Sequence, residues 1–178
     1  MALPPKVFAK RVAKRVLNKK SATKPIVLDQ ESNISFLDLA SIKVGITNST
    51  EFVCQTYITG QADFLGTGWV SFTGSWQKDF RSGFCWDENL PSKDQLSLGL
   101  NEKGADVKVP WEFGRMHQLL RVAFYSDKNP TDYIKKNLKD FRLNNPIGFG
   151  VHWMNAMEVS IRAINLCVAF NKIGYNDR

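Results

Sequence analysis

Cysteine and histidine are scarce: Cys54, Cys85, Cys167, His117 and His152 are all the chain has, and they stand far apart. There is no CxxC, no HExxH and no Cys/His pair at metal-ligand spacing, so a structural zinc site is not expected, and no metal or cofactor is assigned. An odd, sparse cysteine set argues against a disulfide scaffold and leaves buried free thiols as the plain expectation. Long apolar runs are also missing. No stretch approaches the roughly 18 residues of a membrane span, and the basic N-terminus is not followed by the continuous apolar segment of a secretion signal.

Acid is absent from the first twenty residues, which hold Lys6, Lys10, Arg11, Lys14, Arg15, Lys19 and Lys20. Of 24 basic residues seven sit there, leaving 17 against 17 acidic groups in the remainder, so the net charge of +7 belongs to the arm alone. A neutral body argues against a general nucleic-acid-binding surface, and no specific nucleic acid is expected. At about 100° per residue, Phe8, Val12, Val16, Ala9, Ala13 and Leu17 share one half of a helix, with Lys10, Arg11, Lys14 and Arg15 opposite. Residues 1–25 therefore read as a basic amphipathic arm. It could pack on the body, lie on an anionic membrane surface through residues 6–20, act as a transit peptide or bind polyanions. Lys24-Pro25 ends its helical character.

What remains is ordinary globular composition, 43% hydrophobic and 23% charged over 178 residues. A helix-like run covers Ile34 to Ile42, and Phe52 to Ile58 is either a strand or a buried turn of helix. From Gly60 to Gly104 the pattern becomes extended and turn-rich. Glycines 60, 66, 68, 74 and 83 alternate there with Trp69, Trp76 and Trp86, each tryptophan either a staple on the body or a flat face for a ligand. Pro110 reads as the first-turn proline of a helix through Phe124. A shorter helix is expected over Thr131 to Phe141, and a last one from Trp153 to Asn171 with Gly174 as its stop.

That last helix carries the sharpest signal. Asn155, Glu158, Arg162 and Asn165 fall in one stripe about 80° wide, and most of the remaining circumference is apolar. Such a helix is expected to be buried nearly all round and open to a partner or a wet cleft along one line. Glu158 and Arg162, at i and i+4, are expected to form an internal ion pair.

Four ordered blocks between Ala62 and Asn171 resemble the N-terminal region of heparinase II/III-type polysaccharide lyases. They are Asp63-Phe64-Leu65-Gly66-Thr67-Gly68; Trp76-Gln77-Lys78-Asp79-Phe80-Arg81-Ser82-Gly83 closing on Trp86; Gly104 to Glu112 with Arg115; and Gly150-Val151-His152-Trp153-Met154-Asn155-Ala156-Met157-Glu158-Val159 with Arg162 to Asn165. The resemblance implies a mainly α fold, with residues 26–178 the N-terminal part of an incomplete (α/α) toroid and an irregular Gly/Trp-rich segment before the core helices. In that family an antiparallel β-sandwich follows, and the chemistry is β-elimination at uronic acids. The family's catalytic Asn, Tyr and His lie downstream of the fourth block. They are expected beyond Arg178, so no catalytic residue is assigned here, and Tyr125, Tyr133 and His117 are not put in their place.

By the same resemblance Trp111, Glu112, Arg115, His152, Trp153, Asn155, Glu158 and Arg162 build or face the sugar cleft. The family block commonly begins Asn-Trp, so His152-Trp153 is a departure. The implied partners are an acidic, uronate-containing polysaccharide and the remainder of the same protein, without which the chain is expected to be marginal or prone to aggregate. The alternative functions are a non-catalytic acidic-glycan-binding piece, or membrane-surface or polyanion binding through the arm.

Overall fold

In a computed structural model of the chain, the structure describes residues 43, 45–72, 74–95, 104–126 and 129–174. The basic arm and the run at Ile34 to Ile42 lie outside them. The described part is mainly helical, with little sheet. Helix α1 spans Asn48–Ile58, and a two-residue antiparallel ladder pairs β1 (Gln61–Ala62) with β2 (Val70–Ser71). The described residues between β2 and residue 107 hold turns and one 3-10 turn (Ser92–Asp94), and then come α2 (Lys108–Gly114), α3 (His117–Tyr125), α4 (Thr131–Asn144) and α5 (Ala156–Lys172).

The segment at Phe52 to Ile58 is helix, because Thr47 and Thr50 close a reciprocal capping box ahead of it. The Thr50 amide donates to Thr47 Oγ1 at 3.2 Å, and the Thr47 amide donates to Thr50 Oγ1 at 2.8 Å. Cys54 and Tyr57 fall on its inner face.

The segment expected to be one helix from Pro110 to Phe124 is two. Pro110 does sit in the first turn of α2, but Met116 takes a left-handed conformation (φ 63°) and ends it. The Met116 side chain is fully buried, and such a conformation in a non-glycine residue persists only where surrounding packing fixes it. The break releases the Arg115 carbonyl from the helix ladder, and α5 takes it up through Asn165 Nδ2 at 2.8 Å. Helix α3 then becomes the hub, with α1, α4 and α5 all packed on it.

The described residues of the Gly/Trp-rich segment are turn-rich as expected, and several are fastened by buried hydrogen bonds. Asp79 is fully buried, accepting from the Arg81 amide (2.8 Å), Ser82 Oγ (2.6 Å) and the Asp106 amide (3.0 Å). Burial pushes its carboxyl up, but these hydrogen bonds outweigh that and leave it below the usual carboxylate value. Gln77, also buried, donates to Asn145 Oδ1 at 2.6 Å and accepts from the Val151 amide at 2.8 Å. Trp76 lies flat on Phe113, with centroids 4.0 Å apart and planes 5° apart, and meets Phe141 edge-on at 5.0 Å. Trp76 and Trp86 are thus core staples, while Trp69 stays half exposed against Phe52.

Helix α5 turns its polar stripe inward. Glu158, Arg162 and Asn165 are buried, whereas Met157 and Ile164 are 54% and 63% exposed. The expectation of an apolar circumference buried nearly all round is therefore corrected. The stripe is held inside because α2, α3 and the turn at Val151–Trp153 offer it charged and polar partners, which outweighs hiding two aliphatic side chains.

Candidate functional site

Arg115, the residue that follows α2, is the centre of the cluster. Its Nε and Nη2 donate to the two oxygens of Glu158 at 2.7 and 2.9 Å, a two-pronged contact between α2 and α5, and its Nη1 donates to Glu112 Oε2. These bonds, Glu158 first, raise the guanidinium's pKa further, so it stays charged. The expected Glu158–Arg162 ion pair is not formed. Arg115 has taken both oxygens of Glu158, and Arg162 turns to the His152 carbonyl, donating through Nη2 at 2.7 Å.

Arg162 is 4% exposed, and its guanidinium lies 4.6 Å from the Phe141 ring centre and 4.9 Å from that of Trp153. Burial pulls its pKa down to about 10 against the opposing pull of Glu158, so it remains protonated at neutral pH. Arg115 thus holds two carboxylates, Glu112 and Glu158, while Arg162 lies buried between aromatic rings with its Nη1 unpartnered.

His152 is 1% exposed, with Nε2 2.8 Å from the Trp76 carbonyl. A carbonyl only accepts, so Nε2 carries the proton. The other edge of the ring lies so close to Gly114 that a methyl there would overlap it. Burial pushes the ring's pKa down to about 3, so it is neutral under ordinary conditions. Trp111 Nε1 donates to the Val151 carbonyl (2.9 Å) and Trp153 Nε1 to the Asn145 carbonyl (3.1 Å), pinning the same turn from both sides. Asn155 caps α5 by accepting from the Met157 amide at 2.9 Å.

The eight residues singled out in the sequence are therefore brought into one region, with different exposures. His152, Glu158 and Arg162 are buried. Trp111, Glu112, Arg115, Trp153 and Asn155 keep some contact with solvent.

At the edge of the cluster stand residues the sequence reading did not assign: Asp63, His117, Arg121 and Tyr57. They line a recess of about 70 Å3 with Glu112 and Gln118. Arg121 is exposed and donates through Nη1 to the Tyr57 hydroxyl at 2.8 Å. The only available hint was position, since His117 and Arg121 follow Arg115 by two and six residues. A larger cavity of about 420 Å3 also touches Tyr57, with Phe72, Trp76, Phe113 and Tyr133 on its walls and Lys136 at its edge. Asp140 beside it is occupied, accepting from Trp76 Nε1 at 2.7 Å and Asn144 Nδ2 at 2.9 Å.

Among the described residues no group of three or more His, Cys, Asp and Glu is placed to hold a metal ion, and no helix is long and apolar enough to cross a membrane. Comparison of the chain with protein-family models, with curated proteins and with solved structures returns no match.

Proposed function

We propose that the chain supplies a wall of the substrate cleft in a polysaccharide lyase-like protein that cleaves uronate-containing glycans by β-elimination, as the N-terminal part of an incomplete (α/α) toroid. The observation that carries this reading is the cluster in which Arg115 binds both Glu158 and Glu112. It fixes α2 against α5, and its Glu112 lines a polar recess that shares Tyr57 with an aromatic-walled cavity. Aromatic walls beside a few fixed polar groups suit sugar rings and their hydroxyls. Arg115 is engaged by Glu158 and Glu112 and Arg162 is buried, so recognition of a uronate carboxylate falls to exposed cations at the rim, Arg121 first. Met157 and Ile164 give α5 an apolar outer face on which further helices of the parent protein would pack.

In β-elimination a base removes the C5 proton, a C4–C5 double bond forms, and the C4–O bond breaks with its electron pair leaving on an oxygen that takes up a proton. The chain's residues serve binding and support in this scheme, and the proton-transfer groups come from the remainder of the parent. Incubating the chain with uronate polysaccharides is expected to show binding but no new absorbance from unsaturated ends. Sustained turnover by the chain alone would overturn the assignment of the catalytic set elsewhere, and absence of any uronate-glycan binding would overturn the cleft reading.

A further inference from the structure

His117 stands where α3 begins, and its ring is oriented by α5. Asn165 Nδ2 donates to the Arg115 carbonyl at 2.8 Å and lies 3.0 Å from His117 Nδ1. The carbonyl can only accept, so the amide must present its NH2 to both groups, and its second hydrogen points at Nδ1. Nδ1 therefore holds a lone pair, and the proton of the neutral ring sits on Nε2.

Nε2 faces Glu112 Oε1 at 3.9 Å. That is too long for a direct hydrogen bond, but an oxygen placed about 2.8 Å from both atoms bridges them. The bridging group must accept from Nε2–H and donate to a carboxylate through one atom, which is what a hydroxyl does. The His117 side chain is 40% exposed and opens on the 70 Å3 recess, whose volume admits one edge of a sugar rather than a whole ring. Arg121, anchored at the Tyr57 hydroxyl by one nitrogen, has the rest of its guanidinium for a carboxylate.

We infer that this recess is a hydroxyl-binding subsite, in which His117 Nε2–H donates to, and Glu112 accepts from, one hydroxyl of a saccharide whose carboxylate meets Arg121. The inference rests on the uronate-glycan reading for the ligand's identity, but not for the ring's tautomer. The charged groups facing His117 are Glu112, Arg115, Arg121 and Glu158, with Asp63 across the recess. Burial, helped by Arg115 and Arg121, holds its pKa below the usual histidine value against Glu112 and Glu158, so the ring is a neutral donor at physiological pH and not a base.

The test is nitrogen NMR of the histidine-labelled full chain, which has two rings to assign, with His117→Ala identifying the signal. The probes are a uronate oligosaccharide and the same compound with its carboxyls reduced. The expected result is an Nε2–H tautomer for His117, and a His117 signal that moves on adding the uronate probe while His152 stays still. Affinity should fall roughly tenfold in His117→Ala, the worth of one hydrogen bond. Arg121→Met should remove the preference for the acidic probe. An Nδ1–H tautomer overturns the inference, as does uronate binding that leaves His117 unmoved and is unchanged in His117→Ala, although the cleft reading then stands. If both probes move His117 equally, the hydroxyl subsite holds and the uronate reading fails, whereas no binding of either probe overturns both.

Discussion

Acid should destabilise this fold chiefly through His152. Its ring is 1% exposed, donates to the Trp76 carbonyl at 2.8 Å and lies against Gly114, and the Arg162 guanidinium opposes a second proton. Burial pushes its pKa from 6.5 to about 3. The folded value lies below the unfolded one, so the unfolded chain binds more protons between them. Stability from this group is complete above about pH 6.5 and falls as the pH drops toward 3. At pH 5 the unfolded chain lies about 1.5 pH units below its own histidine pKa, which costs about 2 kcal/mol. Asp79, whose carboxyl is held below its ordinary value, changes stability only in more acid solution. His117 titrates with the same sign, and it does so equally in wild type and in a His152 variant.

The assay is urea unfolding at pH 7.5 and pH 5, followed by tryptophan fluorescence, for wild type and His152→Asn. The variant is less stable at both pH values because it leaves space beside Gly114. Its loss between them should nevertheless be smaller than that of wild type by about 2 kcal/mol. An equal loss in both proteins, or a His152 ring that titrates near 6.5 by NMR, would refute the argument.

Other perturbations test the cluster around Arg115. Arg115→Met leaves the Glu158 carboxylate, 3% exposed, without its two-pronged partner and should cost about 3–5 kcal/mol in urea unfolding, with Arg115→Lys recovering only part. Loss of less than about 1 kcal/mol would mean that the pair does not fasten α2 to α5. Gly114→Ala puts a methyl into the His152 ring and should cost about 1–3 kcal/mol, with a shifted His152 NMR signal as its signature. An unchanged signal would show that the ring is not wedged there.

Local signals in the sequence were enough to place α4, the proline in the first turn of α2 and the polar stripe of α5, whereas the helix expected from Trp153 begins at Ala156, after the cap at Asn155. They rest on spacing within a helix and on capping chemistry, which neighbouring residues decide. The break at Met116 was not legible, because methionine carries no preference for a left-handed backbone and only its burial in the core explains it. The partner of Glu158 was misread for a related reason. Spacing proposes Arg162, four residues on, while the fold brings in Arg115 from 43 residues away. Which way α5 faces was hidden too, since an apolar majority points outward only if the polar minority finds buried partners. His117 escaped because its meaning lies in Asn165 and Glu112, which tertiary packing brings to its two nitrogens.

The most direct test of the cleft reading is calorimetric titration of the chain with a uronate oligosaccharide, alongside the same oligosaccharide with its carboxyls reduced. Saturable binding of the acidic compound, with the reduced one weaker by roughly tenfold or more, is the predicted result. No heat from either compound at millimolar concentration would contradict the account.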